Sequence, residues 1–281
     1  MKITALLSLL LILTSFDKPA WRLLSGKGQP ISYNELLKKC SEADIILFGE
    51  FHNNPIHHWL QYELARDLLE RHPELTLGGE FFETDDQLII NEWLRGLLEY
   101  RHFEAEVKIW PNFKTDYWPL LLFAKTNQLP FIATNIPRRY ASIVARHGMD
   151  SLYSIQESAS AFLPPLPVEI NEELPGYKAM MEMSAHSGMK YMMEAQAIKD
   201  ATMAYSILKN HRKGQIFLHI NGAYHSNNYE GIYWYLKKSN PNLRVVTIGC
   251  AEQENISKPA PGYKGLADFI ILTPTSLTKT H

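Results

Sequence analysis

Side chains able to bind a ligand or transfer a proton follow four short apolar segments of the sequence. Glu50 and His52 lie two residues apart after the first segment, so in an extended turn both side chains project to the same side. A carboxylate beside an imidazole orients the ring and raises its basicity, which suits metal ligation or general-base catalysis. The ends of the other three segments contribute the remaining candidates, which are Glu80, Asn135, Arg138, Tyr224 and His225.

These candidates fall into three overlapping sets by the chemistry of their side chains. Glu50, His52 and His225 form the candidate metal-ligand set, and with Glu80 they form the candidate catalytic set of a hydrolase. Arg138 can hold a carboxylate in bidentate fashion. The candidate ligand-binding residues are His52, Glu80, Asn135, Arg138, Tyr224 and His225.

Each candidate taken alone also fits a structural role. A glutamate at a strand end is often an ion-pair partner, and one buried histidine is usually satisfied within the core. The repetition at four consecutive strand ends favours a shared pocket instead. His57 and His58 are weaker candidates, because adjacent helix residues point in different directions. Trp110, Tyr117 and Trp118 are expected to belong to the core or to the pocket wall.

The candidates are positioned by an alternation of apolar segments and helical patterns. Strands are predicted at 44–48, 75–82, 130–134, 215–220, 244–249 and 268–272. Helices are predicted at 55–71, from Thr84 or Asp85 to Leu97, and at 116–127, 137–147, 176–210 and 230–238, with a break at Gly188 as an alternative for the helix at 176–210. This order predicts an α/β fold with a mainly parallel sheet and helices on both faces. Ligands bind outside the carboxyl ends of such strands, so the four polar turns should meet at one edge.

Residues 160–210 form an insertion of distinct composition. A Pro-rich loop comes first, and seven of the nine methionines of the chain then lie between Met180 and Met203. They are too dense for one helix stripe, so some must be exposed or line a soft apolar pocket. We predict a helical lid over the strand ends, with ordinary core filling as the alternative.

The beginning of the sequence is typical of a secretory signal. Lys2 is followed by an almost wholly apolar run over 3–13, about half of the roughly 20 residues that a spanning helix needs. We therefore predict a signal at 1–16, a lead-in with the first helix at 17–40, and a single α/β domain at 41–281. The mature protein would be soluble and periplasmic or extracellular. An uncleaved apolar tail is the alternative.

The charge and the cysteine content argue against a nucleic-acid-binding protein and against a disulfide-rich protein. The formal net charge is −2 and no basic stripe is present, so a nucleic-acid partner is not expected. The two cysteines, Cys40 and Cys250, are too few for a disulfide framework and lack metal-site spacing. Buried free thiols are expected, although export would permit a disulfide between them.

An ordered set of short motifs resembles the ChaN-like haem-binding family of the wider Tiki superfamily. The set extends from about Asp44 to His225 in the family's order. Its pieces are Gly49-Glu50-Phe51-His52, Glu80-Phe81-Phe82 followed by Gln87, Asn135-Ile136-Pro137-Arg138-Arg139, Gln196 with Asp200-Ala201-Thr202-Met203-Ala204, and Gly222-Ala223-Tyr224-His225. Family members are often lipoproteins, but no cysteine follows the apolar run closely, so a lipid anchor is not expected here.

The resemblance implies an exported protein linked to haem or iron uptake, associated with outer-membrane uptake machinery and able to form a homodimer. Non-covalent haem needs an apolar slot, an axial ligand such as His, Met or Tyr, and cations for its propionates. The chain offers His52, His225, Tyr224, the methionines, and Arg138 with Arg139. The superfamily also implies a peptidase-like or esterase-like hydrolase, dependent on a metal such as zinc or on His and Glu. A structural protein with a satisfied polar network is the third function left open.

Overall fold

A computed structural model describes residues 18–187 and 190–281. Seven strands form one sheet in the order β1-β7-β6-β2-β5-β3-β4, and every neighbouring pair is parallel except β1 with β7. The strands are β1 (Arg22–Ser25), β2 (Ile45–Glu50), β3 (Leu75–Glu83), β4 (Phe131–Asn135), β5 (Ile216–Gly222), β6 (Val245–Gln253) and β7 (Phe269–Pro274). The predicted α/β fold with a mainly parallel sheet is confirmed.

Helices connect the successive strands from β2 to β6, whereas only a 3-10 turn lies between β6 and β7. The described helices are α1 (Tyr33–Ser41), α2 (Pro55–Arg71), α3 (Gln87–Leu94), α4 (Tyr100–Glu106), α5 (Phe113–Asp116), α6 (Trp118–Thr126), α7 (Arg138–His147), α8 (Pro175–Ser187), α9 (Met192–Asn210) and α10 (Ile232–Ser239). Short 3-10 turns add to these, and one of them, Ala223–His225, directly follows β5.

Both faces of the sheet are covered. Ile46 and Phe48 of β2 pack into one apolar cluster with α1, α2 and α6, whereas Ile45 and Leu47 pack into a second cluster with α9 and α10. All six residues of β2 are buried. Burial on both faces explains why this strand reads as a continuous apolar run rather than an alternating one.

The structure corrects the predicted secondary structure at three places. The lead-in contains β1, whose Leu23 and Leu24 are buried against β7, a partner too distant in sequence for local periodicity to reveal. The helix predicted at 116–127 begins instead at Trp118 as α6, because the short α5 ends at Asp116, and Pro119 lies in the first turn of α6, where proline is tolerated. The helix predicted to reach Leu97 ends at Leu94.

The pattern over 176–210 forms two helices, α8 and α9. The suspected breaking residue, Gly188, lies outside the described part of the chain. The predicted signal at 1–16 also lies outside it, and the division into 17–40 and 41–281 stays a prediction.

The strand order brings three of the four polar turns into direct contact. β5 lies between β2 and β3, although it is the last of the four along the chain, and Glu50 is paired in register with Gly222. β4 follows β3 at the edge of the sheet, with Asn135 paired to Glu83. The four strands therefore lie side by side as predicted, but the turn after β4 is farthest from the turn after β2.

Cys40 and Cys250 are both buried and unpaired, which confirms the prediction of free thiols. Burial raises the pKa of both thiols. Among the described helices, none has the length and apolar character needed to cross a membrane.

Candidate functional site

A cleft of about 840 Å³ lies over the carboxyl ends of β2, β3 and β5. Its polar lining combines residues of the three turns, and its apolar lining comes from the start of α9 and from α8. The lining residues that matter below are Glu50, His52, Glu80, Tyr224, His225, Met180, Met183, Met192, Lys199 and His281.

His52 is held in the cleft by one carboxylate. Its Nδ1 lies 2.8 Å from Oε1 of Glu50, whose side chain is only 1% exposed whereas that of His52 is 40% exposed. The ring lies against the backbone of β5 so closely that a Cβ at Gly222 would be 2.8 Å from Nε2, so any side chain at position 222 would displace the ring. Burial disfavours the imidazolium, but the hydrogen bond to Glu50 and the charges of Glu80 and Glu50 outweigh it and raise the pKa of His52.

Glu50 is fixed by donors on both of its oxygens. The hydroxyl of Tyr117 donates to Oε1 over 2.5 Å, and the amide of Gln61 donates to Oε2 over 2.5 Å. Nδ1 of His58 lies 3.3 Å from the same Oε2. Burial and the adjacent carboxylate raise the pKa of Tyr117, so its hydroxyl stays a donor. Glu50 therefore orients His52 and presents no unbonded oxygen to the cleft.

His225 is enclosed between two carboxylates. Its Nδ1 contacts Oδ1 of Asp200 at short range, and its Nε2 lies 3.1 Å from Oε1 of Glu80. Burial opposes the charge, but Glu80 and Asp200 overcome it and raise the pKa of His225 to about 10. Burial likewise opposes ionisation of Glu80, yet the charge of His225 holds the pKa of that carboxyl well below its usual range. The ring is thus an imidazolium with both nitrogens engaged.

Two further bonds connect this triad to the elements around it. The backbone N–H of Gly222 donates to Oε2 of Glu80 over 2.6 Å, which ties β3 to β5. The hydroxyl of Tyr177, on α8, donates to Oδ2 of Asp200 over 2.7 Å. The methionine-bearing helix is therefore attached at its first turn to the buried charges below the cleft.

Asn135 and Arg138 do not line the cleft that contains His52. They line a neighbouring cavity of about 330 Å³, and the two cavities share Glu80 and Lys199. The side chain of Arg138 is 71% exposed and its Nε lies 3.8 Å from Oε1 of Glu83. The separation follows from the strand order, because two strands lie between β4 and β2.

The candidate metal-ligand set Glu50, His52 and His225 is committed to protein partners. Both nitrogens of His225 and both oxygens of Glu50 are engaged. Within the described ranges, no group of three or more His, Cys, Asp and Glu side chains is arranged to hold a metal ion.

Sequence reasoning did not place several members of the two networks among the site residues, although it named His58 as a weaker candidate and Gln196 and Asp200 as parts of the family motifs. Gln61 and His58 are three residues apart on α2 and both reach Glu50, so their helical spacing could have revealed them. Gln196 and Asp200, four apart on α9, both contact His225. His57 is instead a core residue, since burial lowers its pKa to about 3 and its Nδ1 accepts the N–H of Phe51. Tyr177, Lys199 and His281 gave no local signal.

Solved structures with a similar fold support this architecture. ChaN of Campylobacter jejuni, whose structure shows cofacial haem binding, matches with a TM-score of 0.66 and 16% identity, over 90% of this chain and 96% of that one. A protein from Bacillus cereus matches with a TM-score of 0.52 and 12% identity, over 87% and 92%. At such low identity, the likenesses show the fold alone.

The sequence itself identifies the family. No curated protein matches the chain significantly. The family model for haem-binding uptake, Tiki superfamily, ChaN, matches residues 36–236, which is well over half of the chain and contains every strand-end motif described above. The chain therefore belongs to the ChaN family of haem-binding uptake proteins in the Tiki superfamily.

Proposed function

We propose that this protein binds non-covalent haem in the cleft over the carboxyl ends of β2, β3 and β5. The observation that carries the proposal is Tyr224, which lines the cleft although the residue is 81% exposed. A phenol is an axial ligand used for haem iron, and it must project into open space to reach the metal. Tyr224 is the candidate ligand that meets this requirement best.

Other residues of the two cavities match the apolar slot and the cations that haem requires. Met180, Met183 and Met192 give a soft apolar wall, and Met183 is 56% exposed, so it offers apolar surface to a flat macrocycle. Lys199 lines the cleft and Arg138 lines the adjoining cavity, so both are candidates to bind propionates. When bound, haem would supply an iron centre and a large apolar plane.

His52 is a better candidate for an iron ligand than His225, because fewer protein groups contact its ring nitrogens. Both nitrogens of His225 contact carboxylates, so ligation through this ring would require a buried charge pair to break. His52 uses only Nδ1 for Glu50, which leaves Nε2 as the second candidate ligand after Tyr224. We propose that His225 stabilises the strand ends below the cleft and does not ligate the iron.

The proposal is tested by titrating the protein with haemin and following the Soret band. Wild type should give a saturable shift, and Tyr224→Phe should weaken binding at least tenfold, or about 1.4 kcal/mol. Tyr153→Phe is the matched control, because Tyr153 is also exposed but lies outside this cleft. Absence of binding by wild type would refute the function, and unchanged binding by Tyr224→Phe would move the iron ligand elsewhere.

Export, uptake and assembly are proposed together with haem binding. The predicted signal at 1–16 would direct the protein to the periplasm or the medium, where it would act in haem or iron uptake with the outer-membrane machinery, as a homodimer. N-terminal sequencing from the native host tests the first step. An intact Met1 in a cytoplasmic fraction would contradict export.

A hydrolase is the second candidate function, favoured by the Glu50–His52 pair. A buried carboxylate on Nδ1 fixes the ring so that Nε2 could take a proton from water attacking a substrate carbonyl. Chromogenic esters and peptides, assayed with and without zinc, would test this. Turnover that falls at least a hundredfold in His52→Ala would support it, given the usual contribution of a general base. If no substrate is turned over either with or without zinc, haem binding is left as the function.

A further inference from the structure

Residues 279–281, which we call the tail, return from β7 to the cleft and are attached there. The N–H of Thr280 donates to the carbonyl of Asn53 over 3.0 Å, and its hydroxyl donates to Oδ2 of Asp116 over 2.6 Å. Lys279 pairs with Glu252. His281, beyond these anchors, lines the same cleft as His52 and Tyr224.

The anchor of the tail is buried and belongs to the network that holds the His52 turn. Asp116 is only 5% exposed, and the amide of Asn112 donates to its Oδ2 over 2.5 Å. The same amide nitrogen lies 2.7 Å from the carbonyl oxygen of His52. His58, which contacts Glu50, also lies 3.4 Å from Asp116. The hydroxyl of Thr280 thus joins a set of bonds that extends from the tail to the cleft.

We infer that the tail is part of the binding cleft and that His281 contacts the bound haem through its imidazole, with Thr280 as the anchor that places it. This inference rests on the proposed haem function and adds a residue to it. An imidazole nitrogen can ligate iron or donate a hydrogen bond to a propionate. Strand ends alone do not complete the cleft, because one of its histidines comes from a segment beyond the last strand.

Haemin titrations of three substitutions test the inference. His281→Ala should weaken binding about tenfold, and Thr280→Val should weaken it roughly threefold by releasing the tail, since RT ln 3 is within the value of one hydrogen bond. Thr278→Ala is the matched control, because Thr278 is exposed and precedes the anchored residues. A changed Soret band in His281→Ala identifies the iron as the contact, and an unchanged band with weaker binding identifies the propionates.

Hydrogen exchange of the haem-free protein tests separately whether the tail is anchored. The Thr280 amide should be protected in wild type, and Thr280→Val should exchange faster across the tail. If wild type binds haemin and His281→Ala binds equally well, the tail inference alone is overturned. If wild type does not bind haemin, the proposed function and this inference fall together.

Discussion

His52 and His225 follow neighbouring strands, yet their surroundings give them different chemistry. His52 contacts one carboxylate, and its side chain is 40% exposed to the cleft. His225 contacts two carboxylates, and its side chain is 7% exposed. The first ring keeps a nitrogen for a ligand, whereas the second is a buried cation that holds two anions together.

The comparison teaches that a histidine at a strand end is not by that position alone a ligand. What decides its role is the number of carboxylates that reach it. Glu50 meets His52 from two residues away, while Asp200 and Glu80 meet His225 from α9 and β3. We therefore expect the two histidines to respond differently to the same substitutions.

The largest expected effect is the loss of stability in His225→Ala. Removing the cation leaves Glu80 and Asp200 buried without it, which should cost about 3–5 kcal/mol of unfolding free energy. His52→Ala should cost about 1 kcal/mol or less, because Glu50 keeps Tyr117 and Gln61. Urea unfolding followed by circular dichroism at pH 7 measures both. Equal losses would contradict the distinction.

Alkaline pH should weaken the fold through His225. Its pKa is about 10 in the folded protein against roughly 6.5 in the unfolded chain, so its contribution is complete below pH 6.5 and is lost as pH rises through 10. The loss should be several kcal/mol, since each unit of pKa difference corresponds to about 1.4 kcal/mol. Glu80, whose pKa is lowered, makes its full contribution above its ordinary pKa of about 4.5 and loses it progressively as pH falls below that value. Urea unfolding of His225→Gln between pH 6 and 10.5 should vary less than that of wild type.

A smaller effect is expected when α8 loses its bond to the triad of His225, Glu80 and Asp200. Tyr177→Phe removes the donor to the buried Asp200, which should cost about 1.5–3 kcal/mol because the acceptor is charged. Tyr153→Phe, at an exposed position, should stay within about 0.5 kcal/mol of wild type. If the two variants unfold alike, Tyr177 does not tether α8 to the charges.

The smallest expected effect concerns the titration of His52. Tyr117→Phe removes a donor from the oxygen of Glu50 that also contacts His52, so the carboxylate should favour the imidazolium more strongly. The pKa of His52 should rise further above its ordinary value, as measured by NMR titration of its ring protons. A fall in that pKa would mean that Tyr117 acts on the ring rather than through Glu50.

The sequence by itself determined the α/β class and most of the residues of the cleft. Strands buried on both faces appear as continuous apolar runs, and the polar residues that end them, such as Glu50 and His225, stand out locally. The ordered motifs then predicted the ChaN family, which the match over 36–236 confirms. The pattern over 176–210 also predicted helical structure there, which the structure shows as α8 and α9.

Only the tertiary structure decided which of these residues meet. Periodicity does not encode strand order, so it could not show that β5 lies between β2 and β3 and leaves Arg138 in an adjoining cavity. It also could not show that Asp200 encloses His225 or that Thr280 reaches Asp116 from 164 positions away. A buried charge is stabilised by whichever partner the packed backbone brings within hydrogen-bond distance, and that distance is a property of the fold.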